Sequence, residues 1–408
     1  MEYHYTADGR ICNRPARNIR PGFAWPPGCD RVGPMSTPFE MIGTVEDLHR
    51  AVERMSGESA VALDTEFVWE KTYYAQLGLV QAALADGPCF LFDAVALPDL
   101  APLGEILAAP RIVKILHDAP QDLMILRRAT GAVAQNIFDT RLAAGFAGLA
   151  STLSLGRLLE EVMGIHLAKA HTRADWRARP LAPEVLDYAA DDVLHLPELA
   201  ARLRERSRAF GTEAWLDEER SSLDSPDVTE EQSPLEAWRR IRVMPPPSPR
   251  VLSVLRELAA WREDQARRAD LPRRWLMEDR VLVDMALQMP RSHEDLARVS
   301  GLSPRTLQHR GDDLLAAVAR GLECPEEDLP VPEPPARRDA PFRQAVDSAL
   351  KAIQTHAAGM GLDPALVCSR RDLAACLQAG PVPAASDSLR RGWRAAFIQQ
   401  ASVPLSPP

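Results

Sequence analysis

The chain has 408 residues, 46% of them hydrophobic and 26% charged, which is the composition of an ordinary folded protein with room for two or three domains. No apolar run approaches the roughly 18 residues of a membrane helix, and the N-terminus lacks the apolar core and small-residue cleavage site of a secretory leader. The formal net charge of −9 argues against a simple basic nucleic-acid binder, but leaves room for a nuclease whose acids hold metal and whose arginines act locally. The six cysteines (Cys12, Cys29, Cys89, Cys324, Cys368, Cys376) form no close pairs, which fits neither a zinc site nor a disulfide framework and suits a reducing cytoplasm.

Residues 1–38 carry Pro, Gly and Arg without periodicity and are expected to form a disordered N-terminal extension. Thr44 caps a predicted helix to Met55. Strands are predicted over 60–68, 77–84 and 89–92, a helix over 99–108, a buried strand over 111–116 and a helix over 119–129. A short strand at 136–138 and helices at 140–149, 154–163 and 183–206 follow. Strands in meander and then strands alternating with helices indicate a mixed sheet flanked by helices. The acidic stretch 218–233 is expected to be a linker. The rest is helical in pattern, broken by Pro245-Pro246-Pro247 and by a second proline-rich stretch at 325–335.

The strand at 60–68 carries the most informative residues. Its alternation puts Asp64 and Glu66 on one face and Leu63, Thr65 and Phe67 on the other. Two adjacent carboxylates on a buried strand are tolerable if one is protonated or a cation lies between them. Asp122 falls on the first turn of a helix, where a carboxylate is favoured anyway. Tyr188 and Asp192, four apart, share a helix face that could equally be plain surface. Taken together, Asp64, Glu66, Asp122 and Asp192 could converge with Tyr188 at one sheet edge. Oxygen-only ligands suit Mg or Mn, and two such ions can activate water against a phosphodiester. Tyr188 would orient or help deprotonate that water.

These motifs resemble the ribonuclease D family of DEDD exonucleases, the branch with tyrosine in its third motif. The first motif is Leu63-Asp64-Thr65-Glu66-Phe67, the second Leu116-His117 with Asp122-Leu123, the third Tyr188 with Asp192. Thr72-Tyr73-Tyr74 before Gln76-Leu77-Gly78, Phe138-Asp139-Thr140, and Asp175-Trp176 with Arg179-Pro180-Leu181 also look like that family. The resemblance covers roughly 40–400. It implies a ribonuclease-H-like α/β nuclease domain and 3′-to-5′ hydrolysis of structured RNA such as tRNA precursors, releasing nucleoside 5′-monophosphates. It further implies that Asp64 bridges two metal ions, that Glu66 and Asp192 hold one and that Asp122 serves the other. Asp118 and Ala174 depart from the family pattern, and Asp118 adds an acid near the site. His117 reads equally as a substrate contact and as a strand-end structural residue. The spacing from Tyr188 favours Asp192 over the adjacent Asp191.

The resemblance assigns the exonuclease domain to 39–215. Trp261-Arg262-Glu263, Ala266-Arg267, Asp270-Leu271-Pro272-Arg273, Asp279 and Leu282 resemble an HRDC (helicase-and-RNase-D C-terminal) domain at 232–322. A degenerate second copy at 338–402 ends in Leu389-Arg390-Arg391-Gly392-Trp393-Arg394. These all-α bundles can bind nucleic acid. Arg262, Arg267, Arg268, Arg273 and Arg274 are candidate phosphate contacts or a solvated face, and Trp261 and Trp275 are expected in the core. A DNA 3′–5′ exonuclease and a binding protein with a dead nuclease domain are the alternatives. Four retained acids, which repel one another without metal, favour an active enzyme. Neither a membrane nor an obligate protein partner is expected.

Overall fold

The computed structural model describes residues 39–167, 174–243, 247–331, 337, 339–379, 387–403 and 405. The expected N-terminal extension, Pro245-Pro246 and part of the second proline-rich stretch lie outside them.

Six strands form one mixed sheet: β1 (Phe39–Ile42), β2 (Ala60–Val68), β3 (Gln76–Ala83), β4 (Cys89–Asp93), β5 (Val113–Leu116) and β6 (Ile137–Asp139), in the order β1-β4-β3-β2-β5-β6. β2, β3 and β4 pair antiparallel, while β1, β5 and β6 join as parallel neighbours of β4, β2 and β5. β1 went unrecognised in the sequence, since four residues are too few to display alternation. The alternation of the longer strands sorts their side chains onto two cores. Val61, Leu63, Val80, Ala82, Phe90 and Phe92 face α1 (Val45–Ser56), α2 (Leu103–Ala108) and α3 (Pro120–Thr130). Ala62, Leu79, Ala83, Leu91, Ile115 and Phe138 face α4 (Thr140–Phe146), α5 (Leu155–Met163), α6 (Pro183–Leu194) and α7 (Leu196–Phe210). The single helix expected at 183–206 is two, because Pro197 lacks the N–H and clashes with the turn before it, so a new helix starts there.

The acidic stretch at 218–233 is not a linker. α8 (Glu213–Ser221) runs into it, and Ser225 caps α9 (Pro226–Thr229). Asp224 accepts a hydrogen bond from the backbone N–H of Ile137 at 3.0 Å, and Thr229 accepts one from Arg127 at 2.8 Å. β6 is an edge strand with unpaired N–H groups. One of the acids that made this segment look solvated, Asp224, supplies an acceptor to that edge.

The helical remainder divides. α10 (Pro249–Ala269), α11 (Arg273–Leu276), α12 (Asp279–Gln288), α13 (His293–Ala297) and α14 (Pro304–Glu323) enclose their own core of Leu255, Leu258, Leu282, Met285, Leu314 and Val318. α15 (Ala340–Gly359), α16 (Pro364–Val367), α17 (Arg370–Ala379) and α18 (Gly392–Gln400) instead complete the sheet's second core, contributing Phe342, Val346, Ile353, Leu373 and Phe397. Trp393 of α18 packs edge-on against Phe146 at 5.2 Å and stacks on Trp215 at 5.6 Å.

Candidate active site

β2 carries Asp64 and Glu66 on the face that Ala62 packs against the second helical layer. α6 crosses that face on Ala189 and Ala190, both fully buried. Small residues there let helix and sheet approach closely, which brings Asp192 over the strand. One carboxylate oxygen each of Asp64, Glu66 and Asp192 lies within 4.8 Å of the other two. Asp191, adjacent in sequence, is outside this group and raises Asp192's pKa by its charge.

Asp122 approaches from the other side of β2. α3 opens with Pro120 and places Asp122 in its first turn, buried, where the Thr65 hydroxyl donates to its carboxylate. It stands apart from the three converged oxygens, yet its charge is the strongest felt by Asp64 after burial itself. Alternation on one strand thus feeds two faces of one centre: Asp64 and Glu66 supply carboxylates, and Thr65 holds the fourth.

Burial raises the pKa of every member, and repulsion from the other acids of the cluster adds to it at Asp64 and Glu66. Asp64 is pushed well above its usual value by burial and then by Asp122, Asp192 and Glu66. Glu66 is raised to about 8 by burial, Asp192 and Asp122. Asp192 is raised to about 7, mainly by burial, against the lowering effect of its hydrogen bond from Tyr188. Asp122 is raised to about 6 by burial, with Thr65 pulling the other way. Burial, then Asp192 and Glu66, also raise the Tyr188 phenol, which keeps its proton and donates to Asp192. The donor set is oxygen-only, acidic, buried and strained by its own charge. Such a set fits hard divalent cations.

The remaining motifs support this centre. Trp176, 2% exposed, tilts against Tyr188 at 6.2 Å. Gly78 is glycine because a Cβ there would lie 2.3 Å from the carbonyl oxygen of Trp176. Arg179 grips both carboxylate oxygens of Asp93 at 2.7 and 2.5 Å and donates to the carbonyls of Gly78 and Trp176. Sequence reading missed Asp93; a lone acid at a strand end gives no signal until its arginine is in view. His117 meets the Thr140 hydroxyl through Nδ1 at 3.0 Å. The extra acid Asp118 forms a salt bridge with Arg141, so its charge is partnered.

The loop after β2 docks on α10. The Tyr73 hydroxyl donates to Glu263 and accepts from Arg267 and Arg273, at 3.1 and 3.0 Å. Asp270 accepts the backbone N–H groups of Tyr73 and Tyr74. Arg262 is buried against Asp279. Three of the five arginines proposed as phosphate contacts therefore serve the protein's own joints, while Arg268 and Arg274 remain exposed. Trp261 is buried, as expected; Trp275 is 62% exposed, against expectation, because α11 is too short to press it into the bundle.

The 3′-5′ exonuclease family model matches residues 39–207, and the HRDC domain model matches 251–318. The chain is 38% identical to a ribonuclease D of Desulfotalea psychrophila, across 88% of this chain and 96% of that protein. It is 37% identical to ribonuclease D of Escherichia coli, across 72% of this chain and 78% of that protein. The crystal structure of E. coli RNase D, described as an exoribonuclease involved in structured RNA processing, superposes with a TM-score of 0.76 at 32% identity, covering 89% of this chain and 97% of that one. The chain belongs to the ribonuclease D family. Its activity is 3′–5′ exoribonucleolytic, RNA is its substrate, and its chemistry is that of a divalent-metal nuclease.

Proposed function

We propose that this exoribonuclease trims the 3′ ends of structured RNA, tRNA precursors among them, and releases nucleoside 5′-monophosphates with the help of Mg or Mn. The observation that carries the assignment of the site is the convergence of Asp64, Glu66 and Asp192 beneath a protonated Tyr188. Asp64, Glu66 and Asp192 would hold the metal directly. Asp122, set back by Thr65, would serve a second position on the far side of Asp64. Bound there, divalent ions supply Lewis acidity at the scissile phosphate. Tyr188 works as a donor: its hydrogen bond orients the Asp192 carboxylate, and Trp176 fixes its ring. Structured RNA as the target is supported by the description of the E. coli relative.

The domain division we propose keeps an exonuclease unit at 39–215, an HRDC unit at 232–322 and a second HRDC-like unit at 338–402, the last sharing its core with the first. A cytoplasmic site of action is supported by four described cysteines that remain free thiols.

The decisive experiment follows a 5′-labelled RNA with a 3′ tail in Mg or Mn, comparing the parent with Asp192→Ala. Metal-dependent stepwise shortening that disappears in the variant supports the assignment. Shortening that survives removes Asp192 from the site. Shortening of a matched DNA instead of the RNA would overturn the substrate.

A further inference from the structure

The polypeptide leaving the acid cluster leads directly into a cleft that the nuclease chemistry does not use. β2 ends at Val68, and Trp69 follows it, 45% exposed. Its Nε1–H donates to the Tyr73 carbonyl at 2.8 Å, and Phe67 meets it edge-on at 6.4 Å. The indole is thus held in place with a face toward solvent. It lines a cleft of about 460 Å³ between the nuclease loop and the α10–α12 bundle, and Trp275 lines the same cleft. The floor is built from Tyr73, Arg273 and Glu263.

The charges of this cleft are sorted. Glu263 is satisfied by Arg273 and Arg267, and Asp279 by Arg262. That leaves Arg240 and Arg274 on the rim, with Glu70 as the opposing exposed acid, and among the described residues Arg274 has no ion-pair partner. Two exposed tryptophans lining one small cleft, with Arg274 and the Gln232-bound Arg240 at its edge, form an unusual surface for a chain with net charge −9. Exposed aromatic faces of this kind mark a binding surface. Paired with arginine they suit unstacked bases on a phosphate backbone.

We propose that this cleft is a stacking subsite for unpaired nucleotides of the RNA substrate, one to three positions upstream of the 3′-terminal nucleotide. The inference rests on the exonuclease reading and deepens it. The spacing is compatible with that register: Trp69 lies three residues beyond Glu66, past a bulge at Glu66/Phe67, so the two backbones are at most about 11 Å apart. Bases stack at about 3.4 Å, so a few nucleotides span that interval. An RNA with its terminal phosphodiester at Asp64 and Glu66 passes its next bases between Trp69 and Trp275, while Arg240 and Arg274 face the phosphates. A duplex cannot present such bases. The cleft therefore selects RNA whose 3′ end is single-stranded over several nucleotides.

The test uses the full-length protein and two substrates, a single-stranded RNA of about twelve nucleotides and a dinucleotide with the same 3′ sequence. In Trp275→Ala and Trp69→Ala, the ratio of kcat/KM for the long substrate to that for the dinucleotide falls about 10-fold, through KM. Trp275→Phe restores most of it. A ratio that stays within about twofold of the parent in both alanine variants overturns the proposal. So does equal rescue by Trp275→Leu, which would mean bulk and not stacking. With metal chelated, quenching of tryptophan fluorescence by the same RNA reads the cleft without turnover. It weakens in Trp275→Ala if the cleft takes RNA and stays unchanged if it does not. A parent protein that degrades neither substrate would sink the exonuclease reading, and the quenching would still decide the cleft.

Discussion

At the scale of the residue, Asp64, Glu66 and Asp192 bring three carboxylates together, a conflict of charge that a bound cation would relieve. Asp64 feels the charges of Asp122, Asp192 and Glu66 together, so removing its charge relieves the metal-free fold while removing a proposed ligand. Asp64→Asn is expected to raise the melting temperature in chelator by about 2–4 °C, if repulsion costs about 1 kcal/mol, and to lower kcat by at least 100-fold, on the order seen when metal sites lose their support. A melting temperature that falls in chelator would mean the acids are not in conflict. The pH dependence follows with a definite sign. Glu66, Asp192 and Asp122 have folded pKa values of about 8, 7 and 6, raised from 4.5, 3.8 and 3.8. Between those limits the folded chain binds more protons than the unfolded one, so the cluster's effect on stability becomes more unfavourable as pH rises from about 4 to 8. His117, whose pKa is lowered mainly by burial, acts in the opposite direction. The contrast is therefore read as parent against Asp192→Asn in chelator. The parent loses ground to the variant from pH 5 to 8, and added Mg restores more at pH 8 than at pH 6 because the ligands must be ionised. A parent that gains on the variant over that range would contradict the arrangement.

At the scale of the element, the site depends on how closely the 175–181 loop lies on β3. The Gly78 position meets the backbone of Trp176, which cannot swing aside as a side chain would, and Arg179 ties the loop to Asp93 on β4. Gly78→Ala is expected to cost about 1–3 kcal/mol as an overpacked contact. It should also lower kcat, since displacing Trp176 displaces Tyr188. Chemical denaturation and single-turnover cleavage measure the two effects; an alanine variant with parental stability would mean the loop is free to lift. β2 shows how much one strand can specify. Its alternation alone told which side Asp64 and Glu66 share. That Thr65 on the other side would hold Asp122 required α3 to be seen in place.

At the scale of the whole molecule, the C-terminal helices are part of the nuclease's support. Glu219 of α8 accepts from the Trp393 indole at 2.6 Å and from both terminal nitrogens of Arg394 at 2.6 and 2.8 Å. Both charged partners keep about a fifth of their side-chain surface exposed, 20% and 22%. Glu219→Ala should therefore cost about 2 kcal/mol, below the roughly 3–5 kcal/mol of a fully buried pair. The loss should appear as one shared unfolding transition, because α15–α18 and α4–α8 enclose a common core. A separate early transition for the C-terminal helices, with the nuclease transition unmoved, would show that the two parts are independent.

What the sequence alone determined is local and periodic: five of the six strands, the shared face of Asp64 and Glu66, the four-residue spacing of Tyr188 and Asp192, and the motif set that marks the family. These survive because side-chain direction follows from backbone repeat. What only the tertiary structure decided depends on partners far along the chain. Asp224 of the acidic stretch became an acceptor for an edge strand, Arg267 and Arg273 were drawn into the Tyr73 joint, and Trp275 came to line the same cleft as Trp69. Charge and aromaticity are properties of a residue, whereas being solvated, paired or stacked is a property of its neighbours. Composition reports the first; only packing settles the second.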